Sequence, residues 1–138
     1  MKPECIFCKI IAGEIPCYKV YEDEGYIAFL DISQFTPGHT LLIPKQHIDF
    51  IWDSSQIGDY MKVAKKIANH YKLLGYKYVD SLSFGRQIAH AHLHLIPHNG
   101  DDTEWNNALK SLEFFTNSKT SRLSKDKGLS LLSKLKLN

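Results

Sequence analysis

The sequence predicts an α+β fold: a five-stranded antiparallel sheet with one long helix and a short N-terminal helix. Two observations carry this prediction. Apolar residues between positions 57 and 74 recur at intervals of three and four, the period of a helix with one buried side. Elsewhere, short segments of strand-forming residues are separated by connections that contain glycine, proline or aspartate. Because these connections are short, the strands they join are expected to run antiparallel.

The N-terminal part is predicted to form one helix and three strands. Apolar residues within 4–12 have helical spacing, and Gly13 follows as a stop. Strands are predicted at 18–22 and 26–31, around an Asp-Glu-Gly turn, and at 40–43, where a proline ends the strand.

The long helix is predicted from Ser54 to Leu74. Asp53 and Gln56 can form a capping box at its start, and Gly75 supplies a left-handed stop. Further elements follow at 76–82 (strand), 88–96 (strand) and 102–115 (helix), and leucines near the C-terminus form a weak amphipathic pattern.

The last predicted strand carries histidines at every second position, His90, His92 and His94, before Pro97. Alternate residues of a strand share a face, so the imidazoles lie on one side while the apolar residues between them enter the core. Imidazole changes charge near neutral pH, which suits a nucleophile, a base or a metal ligand. The alternative is a metal-affinity or solvated histidine cluster.

Over about residues 4–98 the chain resembles the histidine triad (HIT) family of nucleotidyl hydrolases and transferases, in its phosphoramidase (Hint-like) branch. The segments that carry the resemblance are Cys5–Ala12 with Gly13–Pro16, Ala28–Ile32, Pro37–Lys45 with His47, and His90–Pro97. The resemblance implies that His92 attacks the α-phosphate of a nucleotide, that His94 contacts phosphate, and that His39 supports the row. The implied catalytic set is His92, His94, His39 and His90.

The resemblance also implies a purine nucleotide site. Asp31 would accept hydrogen bonds from the ribose hydroxyls. The walls of the purine pocket would be Phe7, Ile10, Leu30 and Ile32, and the phosphate loop would include Arg86 and Gln87. This loop departs from the family pattern, because Arg86 stands where a glutamine is usual and the asparagine of the preceding strand is missing. Arg86 is either a bidentate phosphate contact or a solvated charge.

Cys5 and Cys8 form a CxxC motif, which alone is a weak indication of metal binding. Zinc-containing members of the family use two further ligands that correspond to His47 and His90, so the resemblance implies a structural Cys₂His₂ zinc site. The alternative is a pair of reduced free thiols. Zinc held by all three histidines of the row is disfavoured, since side chains two apart on a strand diverge unless the sheet twists sharply.

Composition fits one globular domain, predicted at 1–116, followed by a basic tail at 117–138. The 138 residues carry a net charge of +2, but the tail alone holds six basic residues and one acidic residue, so the body is net negative. We therefore expect no nucleic-acid partner. No apolar run reaches the ~20 residues that span a bilayer, so we expect no membrane partner and a cytoplasmic protein.

The function predicted from these residues is a purine nucleoside 5′-monophosphoramidase or nucleotidyl hydrolase that forms a nucleotidyl-histidine intermediate. The alternatives are a nucleotide-binding module with little turnover and a dinucleoside polyphosphate hydrolase. A homodimer is expected because a short sheet leaves an edge and part of the long helix uncovered. Tyr60, Met61 and Tyr71 are candidates for the two-fold contact, and Trp105 for a residue that reaches the partner's active site.

Overall fold

A computed structural model describes residues 2–84, 87–100, 103, 106–107, 110 and 123–137 of the chain. The chain divides into two compact units, 1–105 and 106–138. The helices whose bounds fall within the described residues are α1 (Ile6–Ile11), α2 (Ile57–Leu73) and α3 (Lys125–Leu135), with a 3₁₀ turn at Ile51–Asp53. The strands are β1 (Lys19–Glu22), β2 (Tyr26–Leu30), β3 (Thr40–Pro44), β4 (Tyr78–Leu82) and β5 (Leu93–His98).

The first unit is built on one antiparallel sheet of five strands in the order β1-β2-β3-β5-β4. This arrangement confirms the predicted α+β fold. Every residue of β3 is buried, as are the first four of β2, because helices cover this part of the sheet on both sides. Strands β1 and β4 form the edges and are largely exposed.

Successive residues of a strand point to opposite faces of the sheet, and each face buries its own apolar cluster. Helix α2 packs on one face; its cluster contains Tyr26, Ala28, Leu42, Ile51, Tyr60, Ala64, Ile67, Tyr71, Ala91, Leu93 and Leu95. The other face carries α1, through the cluster Phe7, Ile27, Phe29, Leu41 and Ile43. His94 pairs with Leu41 across β3 and β5, which places it on the α1 side.

Helix α2 begins later than predicted. Gln56 is its N-cap but makes no side-chain capping bond, and Asp53 ends the preceding 3₁₀ turn, where its carboxylate accepts from the backbone N–H of Phe50 at 3.2 Å. The predicted capping box between Asp53 and Gln56 is therefore wrong, because Asp53 is already engaged in a separate turn. The predicted stop at Gly75 is confirmed by its φ of +105°.

Two of the three residues predicted to make a dimer contact lie in the core. Tyr60 is 0% exposed and donates its hydroxyl to the carbonyl of Leu42 at 2.6 Å. Tyr71 is 6% exposed, and its hydroxyl lies 2.6 Å from that of Thr40. These tyrosines fasten α2 to the sheet, so the prediction that they contact a partner subunit is wrong. Met61 is 46% exposed, and the homodimer itself stays a prediction.

Strand β5 is displaced toward the C-terminus relative to the prediction of 88–96. The segment before it bonds to a loop, since the N–H of Ala91 donates to the carbonyl of Ile48 at 2.7 Å. The strand then runs past Pro97 to His98. Proline is tolerated there because the pairing of β5 with β3 ends at Leu95, so no strand on that side needs a donor from Pro97.

In the second unit, Ser124 caps α3 by accepting from the N–H of Lys127 at 3.4 Å. The helix forms where the leucine pattern was noted, and its residues are mostly exposed. The predicted helix 102–115 falls largely outside the described residues, and the boundary at 116–117 stays a prediction. No helix in the described part of the chain has the length and apolarity needed to cross a membrane.

Candidate active site

A cavity of about 650 Å³ lies on the α1 side of the sheet. It gathers most of the residues predicted for nucleotide binding and catalysis: Phe7, Ile10, Leu30, Asp31, Ile32, Gln87, His92 and His94. These residues come from α1, from the end of β2 and the two residues after it, and from the segment 87–94 that leads into β5, so the fold assembles the cavity from distant parts of the sequence. Arg86 and Trp105 lie outside the described residues.

His92 is held in a defined tautomer at the cavity wall. Its Nδ1 lies 2.7 Å from the carbonyl oxygen of His90, which can only accept, so Nδ1 carries the proton. Nε2 therefore carries the lone pair, and no described residue forms a hydrogen bond with it. The ring of Phe7 meets the His92 imidazole edge to face at 5.4 Å and fixes its plane. Such an imidazole can act as a nucleophile.

His39 and His94 form a hydrogen-bonded pair beside His92. Nε2 of His39 lies 2.8 Å from Nδ1 of His94, and the nearest carboxylate oxygen of Asp31 is 3.8 Å from the same Nε2. Burial, then the neighbouring imidazoles of His39 and His92, lowers the pKa of His94 to about 4. Burial also lowers the pKa of His39. Both imidazoles are thus neutral at pH 7 in the free protein.

The other nitrogen of His39 allows two tautomers of the pair. Its Nδ1 lies 3.1 Å from the carbonyl of Ser33, which requires a donor, and 3.3 Å from the N–H of Phe35, which requires an acceptor. In one tautomer His94 presents a bare Nε2 to the cavity, and in the other it presents an N–H. The pair can therefore exchange a proton with a group in the cavity.

Asp31 follows the last residue of β2 at the rim of this pair. One carboxylate oxygen accepts from the N–H of Ser33 at 2.8 Å, which holds the side chain in place. The carboxylate also lines the cavity and retains capacity to accept hydrogen bonds from hydroxyl groups.

Behind the cavity, the fold brings the four predicted metal ligands together: Cys5, Cys8, His47 and His90. Sγ of Cys8 lies 3.2 Å from Nδ1 of His47 and 3.6 Å from Nδ1 of His90, and Sγ of Cys5 lies 3.5 Å from the latter nitrogen. Bond lengths to tetrahedral zinc place sulfur and nitrogen ligands about 3.5 Å apart. The spacing of these donor atoms therefore fits zinc.

The hydrogen bonds behind the two imidazoles also fit a metal. Nε2 of His90 donates to the carbonyl of Pro44 at 2.8 Å, and Nε2 of His47 lies 3.0 Å from a carboxylate oxygen of Asp49. Each Nδ1 is thereby left with its lone pair directed toward the thiols. Metal-binding histidines in proteins are oriented in this way by an acceptor behind the ring.

The imidazoles of the row do not converge on one point. His90 turns its Nδ1 to the thiols, whereas His92 and His94 line the cavity. This divergence agrees with the expectation that the row does not hold a single metal ion.

Sequence reasoning missed two aromatic rings at this site. Phe35 stacks on His39 with ring centroids 4.9 Å apart, and Phe84 meets His94 edge to face at 5.7 Å. Both line the cavity. Each lies in a loop, where no periodicity distinguishes a functional aromatic residue from any other, so the pattern of the sequence held no indication of them.

A fold with a paired-histidine cavity and a Cys₂His₂ cluster defines a protein of the histidine triad class. The protein-family sequence model described as "HIT domain" matches residues 12–101, and the chain therefore belongs to the HIT family. Among its relatives, "Protein hit" of Bacillus subtilis is 44% identical over 104 residues, covering 70% of this chain and 72% of that protein. Adenosine 5′-monophosphoramidase HNT1 of Saccharomyces cerevisiae is 40% identical over 97 residues, covering 67% of this chain and 61% of that protein.

Solved structures give the same result. A HIT family protein from Bacillus anthracis superimposes with a TM-score of 0.74 at 37% identity, covering 98% of this chain and 96% of that one. A zinc-bound histidine triad family protein from Mycobacterium smegmatis superimposes with a TM-score of 0.66 at 30% identity, covering 80% of this chain and 96% of that one. These matches show the fold and the family together.

Proposed function

We propose that this chain is a purine nucleoside 5′-monophosphoramidase, which hydrolyses the P–N bond of a nucleoside phosphoramidate. The broader activity, that of a nucleotide hydrolase, follows from family membership and from relatives such as the yeast adenosine 5′-monophosphoramidase. The observation that carries the proposal is the His92 imidazole, whose Nδ1 is fixed on the carbonyl of His90 while Nε2 is free at the cavity wall.

In our proposal the nucleotide lies along the cavity with its base at the end of the cavity next to helix α1. The apolar walls for the purine are Phe7, Ile10, Leu30 and Ile32. Asp31 accepts hydrogen bonds from the ribose hydroxyls, charge-assisted bonds that fix the sugar. The α-phosphate then lies against His92 and His94, with Gln87 and Arg86 as further candidates for phosphate contacts.

The reaction proceeds by two displacements at phosphorus. In the first, the lone pair of His92 Nε2 forms a bond to phosphorus, the P–N bond breaks, and its electron pair stays on the amine. The amine takes a proton from the His39–His94 pair, which the anionic phosphate keeps protonated in the complex. In the second, water attacks phosphorus, the bond to His92 breaks, and one proton of the water returns to the pair. Asp31 lies 3.8 Å from His39 and favours the protonated pair.

We also propose that Cys5, Cys8, His47 and His90 hold a structural zinc ion. Support comes from the spacing of their donor atoms and from the zinc-bound relative of Mycobacterium smegmatis. Four protein ligands close the coordination sphere, so the zinc would fix α1 to the sheet and take no part in the reaction. Thiolate ligands require reducing conditions, and we therefore propose the cytoplasm as the compartment.

The test is hydrolysis of adenosine 5′-phosphoramidate. Purified wild-type protein should release AMP and ammonia, and His92→Asn should lose this activity while it still binds AMP, because the binding contacts are elsewhere. With an α-labelled substrate, acid quenching should be avoided and alkaline quenching should trap label on His92. Release of AMP at equal rates by the wild type and by His92→Asn would refute the proposed nucleophile, and no release by the wild type would refute the activity.

A further inference from the structure

We propose that Gln34 is a positioning residue, whose side-chain amide holds the carboxylate of Asp31 beside the His39–His94 pair. This inference rests on the proposed function, because the role it gives to Gln34 is to support protonation of the leaving amine by that pair. The side chain of Gln34 is exposed and is not among the described residues that line the cavity. Gln34 therefore acts through Asp31 and His39 rather than on the substrate.

Asp31 and His39 are the two ends of the loop that joins β2 to β3. The N–H of Asp31 donates to the carbonyl of His39 at 2.9 Å, next to the last residue pair of the two strands. This bond joins the ends of the loop. It does not by itself fix the residues between them, which carry the contacts to both side chains.

The side-chain amide of Gln34 spans this loop with three hydrogen bonds. Its Nε2 donates one proton to the carbonyl of Asp31 and one to the carbonyl of His39, the latter at 2.8 Å. Its Oε1 accepts from the N–H of Gly38 at 2.8 Å. Only one orientation of the amide satisfies all three partners, because the carbonyls can only accept and the N–H can only donate. An exposed glutamine loses rotamer entropy when it is ordered, and these three bonds offset that loss.

Ser33, the residue before Gln34, contacts both of the groups that Gln34 is proposed to position. The N–H of Ser33 donates to a carboxylate oxygen of Asp31 at 2.8 Å, and its carbonyl oxygen lies 3.1 Å from Nδ1 of His39. The bonds of Gln34 fix the backbone directly after Ser33. Without them Ser33 is free to move, and the carboxylate and the imidazole lose a common support.

The distance between the carboxylate and the histidine pair matters for the reaction. An oxygen of Asp31 lies 3.8 Å from Nε2 of His39, the nitrogen that shares a proton with His94. Burial lowers the pKa of both imidazoles, and the negative charge of Asp31 opposes this shift. Because the attraction between charges falls with distance, a loop that moves away supports the protonated pair less. Loss of Gln34 should therefore impair the step in which the amine takes its proton.

The experiment compares two substrates that differ in their need for that proton. The amine of adenosine 5′-phosphoramidate takes a proton as it leaves, whereas the p-nitrophenyl ester of AMP releases a phenolate that needs none. Both carry the same nucleotide, so a change in ribose or base binding alters kcat/KM for both by the same factor. Gln34→Met keeps the length of the side chain but removes its hydrogen bonds. We expect it to lower kcat/KM for the phosphoramidate about tenfold more than for the ester, the effect of one or two lost hydrogen bonds.

A double-variant cycle tests whether Gln34 acts through Asp31. Asp31→Asn should also lower kcat/KM for the phosphoramidate about tenfold relative to the ester, because a neutral amide does not support the protonated pair. Adding Gln34→Met to Asp31→Asn should change this ratio less than about twofold, since the charge that Gln34 positions is already absent. Gln56→Met is the matched control and should keep the wild-type ratio. Gln56 is an exposed glutamine that makes no side-chain capping bond and does not line the cavity.

Two kinetic results would overturn the inference. An equal fall for both substrates in Gln34→Met would mean that Gln34 only maintains the structure of the site. A further tenfold fall of the ratio in the double variant would mean that Gln34 does not act through Asp31.

A second measurement needs no turnover and so separates this inference from the proposed activity. The pH at which the histidine pair takes up a proton can be followed by NMR of the imidazole rings. It should move to lower pH in Gln34→Met, in the same direction as in Asp31→Asn, because the carboxylate no longer supports the charge. An unchanged titration in Gln34→Met would overturn the inference even if the wild type hydrolyses neither substrate.

Discussion

Acid should destabilise this protein through His94, and replacing that residue should remove part of the effect. An unfolded histidine binds its proton below about pH 6.5, whereas burial keeps the pKa of folded His94 at about 4. Between these values the unfolded chain holds more protons than the folded chain. The contribution of His94 to the free energy of unfolding is therefore fully present above pH 6.5 and is lost as the pH falls toward 4.

The size of the effect follows from the two pKa values. At 1.36 kcal/mol per unit, His94 alone costs about 2 kcal/mol of stability at pH 5 relative to pH 8, and about 3 kcal/mol at pH 4. His39 adds to the loss with the same sign, because burial lowers its pKa as well. With a urea m-value of about 2 kcal/mol per molar, the contribution of His94 lowers the urea concentration at the unfolding midpoint by about 1 M between pH 8 and pH 5.

The assay is urea unfolding at a series of pH values, with His94→Asn beside the wild type. The variant keeps a polar partner for His39 but cannot be protonated, so its midpoint should fall by about 1 M less between pH 8 and pH 5. The carboxylates and the Cys/His cluster are common to both proteins, and their contributions cancel in the difference. His70→Asn, a change at an exposed histidine of α2, should follow the wild type. Parallel curves for the wild type and His94→Asn would refute the reasoning.

Three further outcomes are expected. The protein should contain about one zinc per chain, and the double change Cys5→Ser and Cys8→Ser should remove the zinc and lower the melting temperature by about 10 °C. The control Cys17→Ser should change neither the zinc content nor the melting temperature. A wild type that holds no metal and is as stable as the double variant would contradict the zinc proposal. Asp31→Asn should weaken AMP binding about tenfold but leave binding of 2′,3′-dideoxy-AMP unchanged, as calorimetry can show; equal losses for both ligands would exclude a ribose contact. Light scattering at micromolar concentration should give a dimer, and a mass near 15.8 kDa would exclude it.

Much of the fold could be predicted because its elements have strong local patterns. The period of three and four in α2 and the glycine after it gave the helix and its end, and the turn around Asp23 gave the first hairpin. The limits of β5 could not be predicted, since they depend on where β3 stops pairing and on the bond between Ala91 and Ile48. Both are tertiary contacts, which a single strand's composition does not record.

The candidate site divides in the same way. The alternating histidines and the CxxC motif are both visible in the sequence as groups of reactive side chains. The fold brings His39 to His94 of the histidine row and His47 to Cys8 of the CxxC motif. Tyr60 and Tyr71 lie on the side of α2 that the three-and-four repeat predicts to be buried. The repeat does not tell whether the sheet or a partner subunit covers them, because a tyrosine on a helix suits either a core or an interface until its hydroxyl finds an acceptor. The positions of Phe35 and Phe84 at the cavity could not be predicted either, because they depend on how two loops meet.

One short helix serves both sites, and this has a thermodynamic consequence. Phe7 lies between Cys5 and Cys8 in the chain, lines the cavity and packs on His92, while the carbonyl of His90 fixes the same imidazole. If zinc raises the affinity for AMP by ordering these groups, reciprocity requires AMP to raise the affinity for zinc by the same factor. At saturating AMP, more of a competing colorimetric chelator should then be needed to remove half of the zinc at equilibrium, and an equilibrium midpoint independent of AMP would show that the two sites are uncoupled. A cell that runs short of zinc would, on this basis, lose the metal last from molecules that hold a nucleotide.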